Sequence, residues 1–217
     1  MFSSTKQNED LVKVFHGGTK LTYKKGEFVI RPGEAPSGVF FIETGLVKAY
    51  NISKYGEENL LIIRRSEELF PLIWAITGQE RSIIYQAMDN LVLWRISRKD
   101  YLKDIHNDPK MLMPMLEMTL EMYRLHSEHI INLEYRTVRE RLISFLLNTS
   151  ERFGEPGPKK GIILLNVPLK QQDIASSINA TRETTSREIV RLERLGLVSA
   201  NHGKISLLDP NKLRAYL

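Results

Sequence analysis

Residues Asn179–Ser199 read NATRETTSREIVRLERLGLVS, and the placement of charge in this stretch decides how the remainder is read. On a helix, Thr185, Ile189 and Leu192 fall within roughly 60° of one another, which makes them the buried stripe. Glu183, Arg187 and Arg194 lie on the opposite side, flanked by Arg182 and Ser186. Just upstream, LKQQDIASSI predicts a short helix over about Gln171–Ser177. Almost no loop separates the two helices. Asn179 stands where such a tight turn needs a left-handed residue, which asparagine tolerates. Thr181 has the chemistry to cap the second helix. A narrow apolar ridge under a face of guanidinium and carboxylate groups suits the major groove of DNA. There an arginine forks onto guanine O6 and N7, and a carboxylate accepts from cytosine N4. The competing reading is a solvated amphipathic helix with incidental charges. The helix-turn-helix spacing, a basic surrounding segment and a following hairpin weigh against it.

The charge distribution agrees. The chain of 217 residues carries a formal net charge of +5. Residues 1–133 hold 17 basic and 17 acidic side chains, whereas residues 134–217 hold 14 basic and 9 acidic ones. The whole excess lies in the last third, which suggests a polyanionic partner for that segment. There are no cysteines, which excludes disulfides and thiolate metal sites. The N-terminal MFSSTKQNEDLVKVF places polar and acidic residues where a signal peptide needs an apolar run. No apolar segment has the length of a membrane span. A cytoplasmic protein without a membrane partner is expected.

Upstream of the basic segment the texture changes twice. From Leu21 to Ile96, EFVIRPGE, GVFFIETG, LVKAYNIS and NLLIIRR are rich in Val, Ile, Phe and Tyr. Gly26, Gly33, Gly38, Gly45 and Gly56 punctuate them, as in an all-β unit of short strands. Asp108-Pro109 then opens a long helix rich in Leu, Met, Glu and Arg. Leu112, Met115, Thr119, Met122, His126, His129 and Leu133 step along it by threes and fours, a seam suited to a partner helix. Met111, Met118 and Leu125 widen the apolar side. Homodimerisation is the sharper reading, and packing on the β unit alone is the plainer one. His126 and His129, with Glu128 nearby, have metal-compatible spacing but no third ligand, so no metal is expected. Histidines on a seam also permit a pH response. A further helix, about Thr137–Arg152, ends at Gly154. GEPGPKKG reads as a loop, GIILLNV as a strand, and GLVSANHGKISLL as a hairpin turning at Asn201-His202-Gly203.

TRETTSREIVRLERLGLVS resembles the recognition helix of the family of the cyclic-AMP receptor protein and the fumarate–nitrate regulator (CRP/FNR). GEFVIRPGEAPSGVFFIETGLVKAY resembles its glycine-spaced β-roll, and RTVRERLISFLL the start of its winged-helix domain. The resemblance implies an α+β protein in three parts: an N-terminal β-roll of the cyclic-nucleotide-binding type (1–108), a dimerisation helix (109–135) and a C-terminal winged helix-turn-helix (136–217). By the same resemblance Arg182, Glu183, Ser186 and Arg187 would touch bases. Lys170, Gln171, Thr181, Thr184, His202 and Lys204 would touch phosphates. The family usually has valine where this chain has Thr185. Palindromic half-sites similar to TGTGA are implied, with RNA polymerase meeting the loops Glu155–Lys160 and Ser53–Asn59.

Nucleotide-binding members grip the cyclic phosphate and ribose with a glycine–glutamate pair and a later arginine–serine pair. Here Arg81-Ser82 matches the later pair, but Phe70 and Pro71 stand in place of the earlier one. Any effector pocket would comprise Phe70, Pro71, Trp74, Arg81, Ser82, His126 and Ser127. It would be greasy, so an unknown or apolar effector, or none, is expected before a cyclic nucleotide, with haem or a metal last, and no cofactor is assigned. Three functional classes compete: a dimeric DNA-binding regulator, a small-molecule sensor working through protein contacts, and an enzyme. The intact TRETTSRE favours the first. Nothing supports the third, since the sequence has neither a Gly-x-Ser-x-Gly elbow nor a Gly-x-x-x-x-Gly-Lys loop.

Overall fold

The computed structural model describes residues 12–108, 112–201 and 204–217. Pro109, Met111, His202 and Gly203, to which the sequence assigns the helix opening, part of the apolar side, a phosphate contact and a hairpin turn, lie outside the described residues. The chain forms two compact units. One holds the chain up to Asn51 together with Leu61–Leu125, the other Ile52–Leu60 with His126–Leu217.

The first unit is built on two four-stranded sheets. One runs β1 (Thr19–Tyr23), β8 (Leu91–Ile96), β3 (Val39–Thr44), β6 (Leu69–Phe70). The other runs β2 (Phe28–Ile30), β7 (Ile84–Ala87), β4 (Val47–Ile52), β5 (Glu58–Arg64), of which Ile52 and Glu58–Leu60 are counted with the second unit. β3 explains why: its VFFI is apolar without a break, and successive side chains point to opposite faces. Phe40 and Ile42 enter one core with Ile30, Ala49, Phe70 and Leu93. Val39 and Phe41 enter another with Phe15, Leu69, Tyr101 and Ile105. A strand buried on both faces needs no polar alternation. Gly45 has φ 94°, and a Cβ there would meet the Asn90 carbonyl oxygen at 2.6 Å, so only glycine fits the β3–β4 turn.

Helices Leu72–Thr77 and Arg98–Asn107 of this unit escape the sequence reading. The second is capped by Ser97, whose side chain accepts from the Asp100 N–H. It brings Tyr101 and Ile105 onto the second core.

The long helix runs Leu112–Tyr135, and its seam requires a correction. Met115 does not face outward. It is 7% exposed, packs in the core with Phe15 and Tyr101, and accepts a hydrogen bond from the Tyr101 hydroxyl at 3.2 Å. Met118 likewise accepts from the Leu69 backbone N–H at 3.4 Å. Met122 and His129 are half-buried. Leu112, Thr119, His126 and Leu133 are exposed, but so are Met113, Leu116, Leu120, Tyr123 and Ile130. Leu120 and Tyr123 reach 56% and 72%. The outward stripe is thus centred about one residue later than the spacing suggests, because the β unit claims Met115.

In the second unit, helix Val138–Phe153 opens with a reciprocal cap: Thr137 accepts from the Glu140 N–H, and Glu140 accepts from the Thr137 N–H. It buries Leu142, Ile143, Leu146 and Leu147. A sheet follows in the order β11 (Val198–Asn201), β12 (Lys204–Leu207), β10 (Ile163–Leu165), β9 (Gly154–Pro156). β9 occupies the start of the stretch that composition reads as a loop. Among the described residues no helix is long and apolar enough to cross a membrane.

Candidate nucleic-acid interface

The helix-turn-helix forms from local chemistry. Its first helix spans Gln171–Ser177, and Asp173 accepts from the Lys170 N–H at 2.9 Å. Asn179 takes φ 48°, which swings the chain into the next helix. The Ala180 N–H then donates to the Ala175 carbonyl at 3.0 Å. The second helix spans Arg182–Arg194, capped by the Thr181 hydroxyl, which accepts from the Thr184 N–H at 3.1 Å.

Thr185, Ile189 and Leu192 are its buried residues, as the wheel predicts. Thr185 has no exposed surface, and its hydroxyl donates to the Thr181 carbonyl at 2.9 Å. A threonine therefore replaces valine here at no polar cost, since the hydroxyl keeps a partner while the methyl packs.

The outer face carries the charge. Arg182, Glu183, Arg187, Arg191 and Arg194 are exposed, while Thr184 and Ser186 are half-buried. Arg187 donates to the Thr184 hydroxyl at 3.2 Å, which steadies the guanidinium near the helix start. The helix holds three acids, and two are used internally. Glu188 takes an ion pair from Arg139 at 2.7 Å, and Glu193 accepts from the Ala200 N–H at 2.7 Å. Glu183 is the carboxylate left on the outside, among four arginines. The Glu188 carboxylate, through its hydrogen bond and charge, pushes the Arg139 guanidinium still further above its ordinary value. Lys170, Gln171, Thr181 and Lys204 are all exposed. The Thr181 cap leaves other N–H groups of the first turn pointing outward, where an anion can bind.

The residues of the expected effector pocket are placed differently. Phe70 is fully buried and stacks on Phe40 at 5.2 Å and on Tyr85 at 4.7 Å between ring centroids. Its side chain belongs to the core, which corrects its assignment to a pocket wall. Pro71 is buried as well, while Trp74 is half-buried and packs on the second core. Arg81 and Ser82 are exposed. Glu68, the acid nearest in sequence to Phe70 and Pro71, lies 3.5 Å from both Arg64 and Arg65. His126 and Ser127 lie on the part of the long helix that belongs to the second unit.

Sequence reasoning missed the Arg139–Glu188 pair and the Glu193–Ala200 bond. The first joins residues 49 positions apart, and no local spacing announces it. The hairpin that brings Ala200 beside Glu193 was legible, but not which acid it would engage.

Two family models match the chain: a Crp-like helix-turn-helix domain over residues 140–216 and a cyclic nucleotide-binding domain over residues 20–108. The global nitrogen regulator of Synechocystis sp. is 28% identical over 222 residues, covering 97% of this chain and 96% of that regulator. Solved structures share the fold, among them two that the chain covers almost in full. A CooA mutant from Carboxydothermus hydrogenoformans has TM-score 0.81 at 21% identity, covering 100% of this chain and 97% of that one. FixK2 from Bradyrhizobium japonicum has TM-score 0.77 at 22% identity, covering 91% and 96%.

Proposed function

Because the chain belongs to the CRP/FNR family of DNA-binding transcription regulators, we propose that it binds palindromic promoter sites as a homodimer, reading bases with the helix Arg182–Arg194. The carrying observation is the orientation of that helix: Thr185, Ile189 and Leu192 face the unit's interior, while Arg182, Glu183 and Arg187 are exposed. In this reading Arg182 and Arg187 fork onto guanines, Glu183 accepts from cytosine, and Ser186 supplies a shorter contact. Lys170, Gln171, Thr181, Thr184 and Lys204 hold phosphates and fix the register. Two copies of the helix would address half-sites about 34 Å apart.

The dimer would close along the long helix. Met113, Leu116, Leu120, Tyr123 and Ile130 are exposed on it, an apolar stripe of the kind that a partner helix covers. The helix would then divide the chain between an N-terminal sensing part and a C-terminal DNA-binding part. A cytoplasmic location and a contact with RNA polymerase through Glu155–Lys160 or Ser53–Asn59 complete the proposal.

Control without cyclic AMP is the favoured form. Phe70 is spent on core stacking, Pro71 has no N–H to offer a phosphate, and Glu68 faces two arginines. These residues fit a cyclic nucleotide poorly. The competing reading, a cyclic-nucleotide-responsive regulator, rests on the match of residues 20–108 to the cyclic nucleotide-binding domain and on the exposed Arg81 and Ser82. Selection of bound sites from a random duplex pool, with and without cyclic AMP, tests all of this. A palindrome recovered equally in both arms is expected. A monomer that enriches no duplex at low ionic strength would overturn the proposal, and enrichment only with cyclic AMP would select the competing form.

A further inference from the structure

The recognition helix is seated on very little. Thr185, Ile189 and Leu192 are its only buried residues among those described, a ridge three side chains long and one side chain wide. A ridge so narrow resists removal from the core better than it resists rotation about the helix axis. The roll angle of the helix nevertheless decides which side chains reach base edges, since neighbouring positions differ by about 100°.

Two carboxylates flank the ridge and engage separate elements. Glu193 accepts from the Ala200 N–H of β11 at 2.7 Å. Glu188 pairs with Arg139, on the first turn of the helix Val138–Phe153, at 2.7 Å. Both members of the second pair are partly covered, with side-chain exposures of 28% and 20%. Glu188 follows Arg187 directly and precedes Arg191 by three positions, so any roll that moves Glu188 moves both arginines. We infer that the Arg139–Glu188 ion pair is a positioning contact that sets the roll of the recognition helix and thereby its sequence selectivity. Neither residue needs to touch a base for this. The inference rests on the DNA-binding reading above.

Electrostatics makes the role testable, because charge and position predict opposite outcomes. Glu188 is a negative charge on a helix facing a polyanion. If it acted by charge alone, removing it would strengthen binding to every duplex. If it acts by position, Glu188→Gln strengthens or preserves binding to random duplex while weakening binding to the selected palindrome. The ratio of the two affinities should fall by about tenfold, a typical coupling for residues in direct contact. Arg139→Ala should reduce the ratio similarly. The reversed pair, Arg139→Glu with Glu188→Arg, should recover most of it.

Full-length parent and variants would be titrated with both duplexes across a salt series, with thermal unfolding monitored alongside. A parent that distinguishes the two duplexes, single variants that distinguish them about tenfold less while melting as the parent does, and recovery in the reversed pair are expected. Should the parent discriminate and Glu188→Gln discriminate equally, the inference fails while the DNA-binding reading stands. Unchanged discrimination by Arg139→Ala, or reversed-pair behaviour no better than the single variants, overturns it in the same way. A parent that binds no duplex removes both.

Discussion

Arg187 and Lys170 are both exposed cations in the helix-turn-helix, yet they should fail differently. Arg187 is steadied by the Thr184 hydroxyl at 3.2 Å and projects from the second turn of the helix Arg182–Arg194, where in the proposed complex its guanidinium would meet base edges. Arg187→Ala should cost about 1–3 kcal/mol on the best site and relax preference at one base pair. Lys170 precedes the first helix of the motif and would meet only the backbone. Its replacement by alanine should weaken all sequences alike and flatten the salt slope by about one unit. Equal selectivity in parent and Arg187→Ala, measured against a panel of single-base variants, would remove Arg187 from the base readers. Asn179 carries a conformational demand instead. With φ 48° it accepts glycine readily, whereas Asn179→Val should destabilise the second unit by about 1–2 kcal/mol. Urea unfolding of the two variants side by side checks this, and a valine variant as stable as the glycine one would contradict it.

At the level of elements the informative case is the long helix. Its sequence is apolar over much of its circumference, with methionines or leucines at 112, 113, 115, 116, 118 and 120. A periodicity that broad fits several adjacent stripes equally well. The choice among them is made from outside the helix, by Tyr101 and Phe15 drawing Met115 inward. The helix-turn-helix was legible for the opposite reason. Its turn, cap and ridge are written within a single stretch of chain, in Asn179, Thr181 and the spacing of Thr185, Ile189 and Leu192. Two substitutions separate the two faces of the long helix. Leu120→Glu, on the exposed stripe, should convert the proposed dimer to monomer at micromolar concentration in sedimentation while leaving each protomer's unfolding little changed. Met115→Ala should leave the assembly intact but destabilise the first unit by about 2–5 kcal/mol, as deletion of buried side chains does. A dimer that survives Leu120→Glu but dissociates with Met115→Ala would restore the earlier seam.

For the molecule as a whole, the candidate DNA interface could be read from residues near one another in sequence, but the surroundings of the expected effector pocket could not. The destination of Phe70 depends on Phe40 and Tyr85, contacts between strands that no local pattern announces. The two units also differ in how acid should affect them. Burial pushes the His129 imidazole in the second unit below its ordinary value of 6.5, and Arg141 adds to the effect. An unfolded chain therefore takes up this proton before the folded one does. The stabilisation is complete above about pH 6.5 and is lost as pH falls below it. Glu43 in the first unit is held below its ordinary 4.5, chiefly by the Lys20 hydrogen bond and, against a burial penalty, by that of Trp94. Glu140 in the second is held down by the Thr137 hydroxyl and N–H. Those contributions persist until pH falls below 4.5. Both tryptophans, Trp74 and Trp94, belong to the first unit, so their fluorescence reports that unit, whereas helix circular dichroism reports both. Between about pH 7.5 and 5.5 the urea midpoint seen by fluorescence should stay constant while a component of the dichroism moves to lower urea. His129→Gln should abolish that movement. Midpoints that shift together, or a dichroism transition indifferent to this pH range, would show that His129 does not govern the acid sensitivity of the second unit.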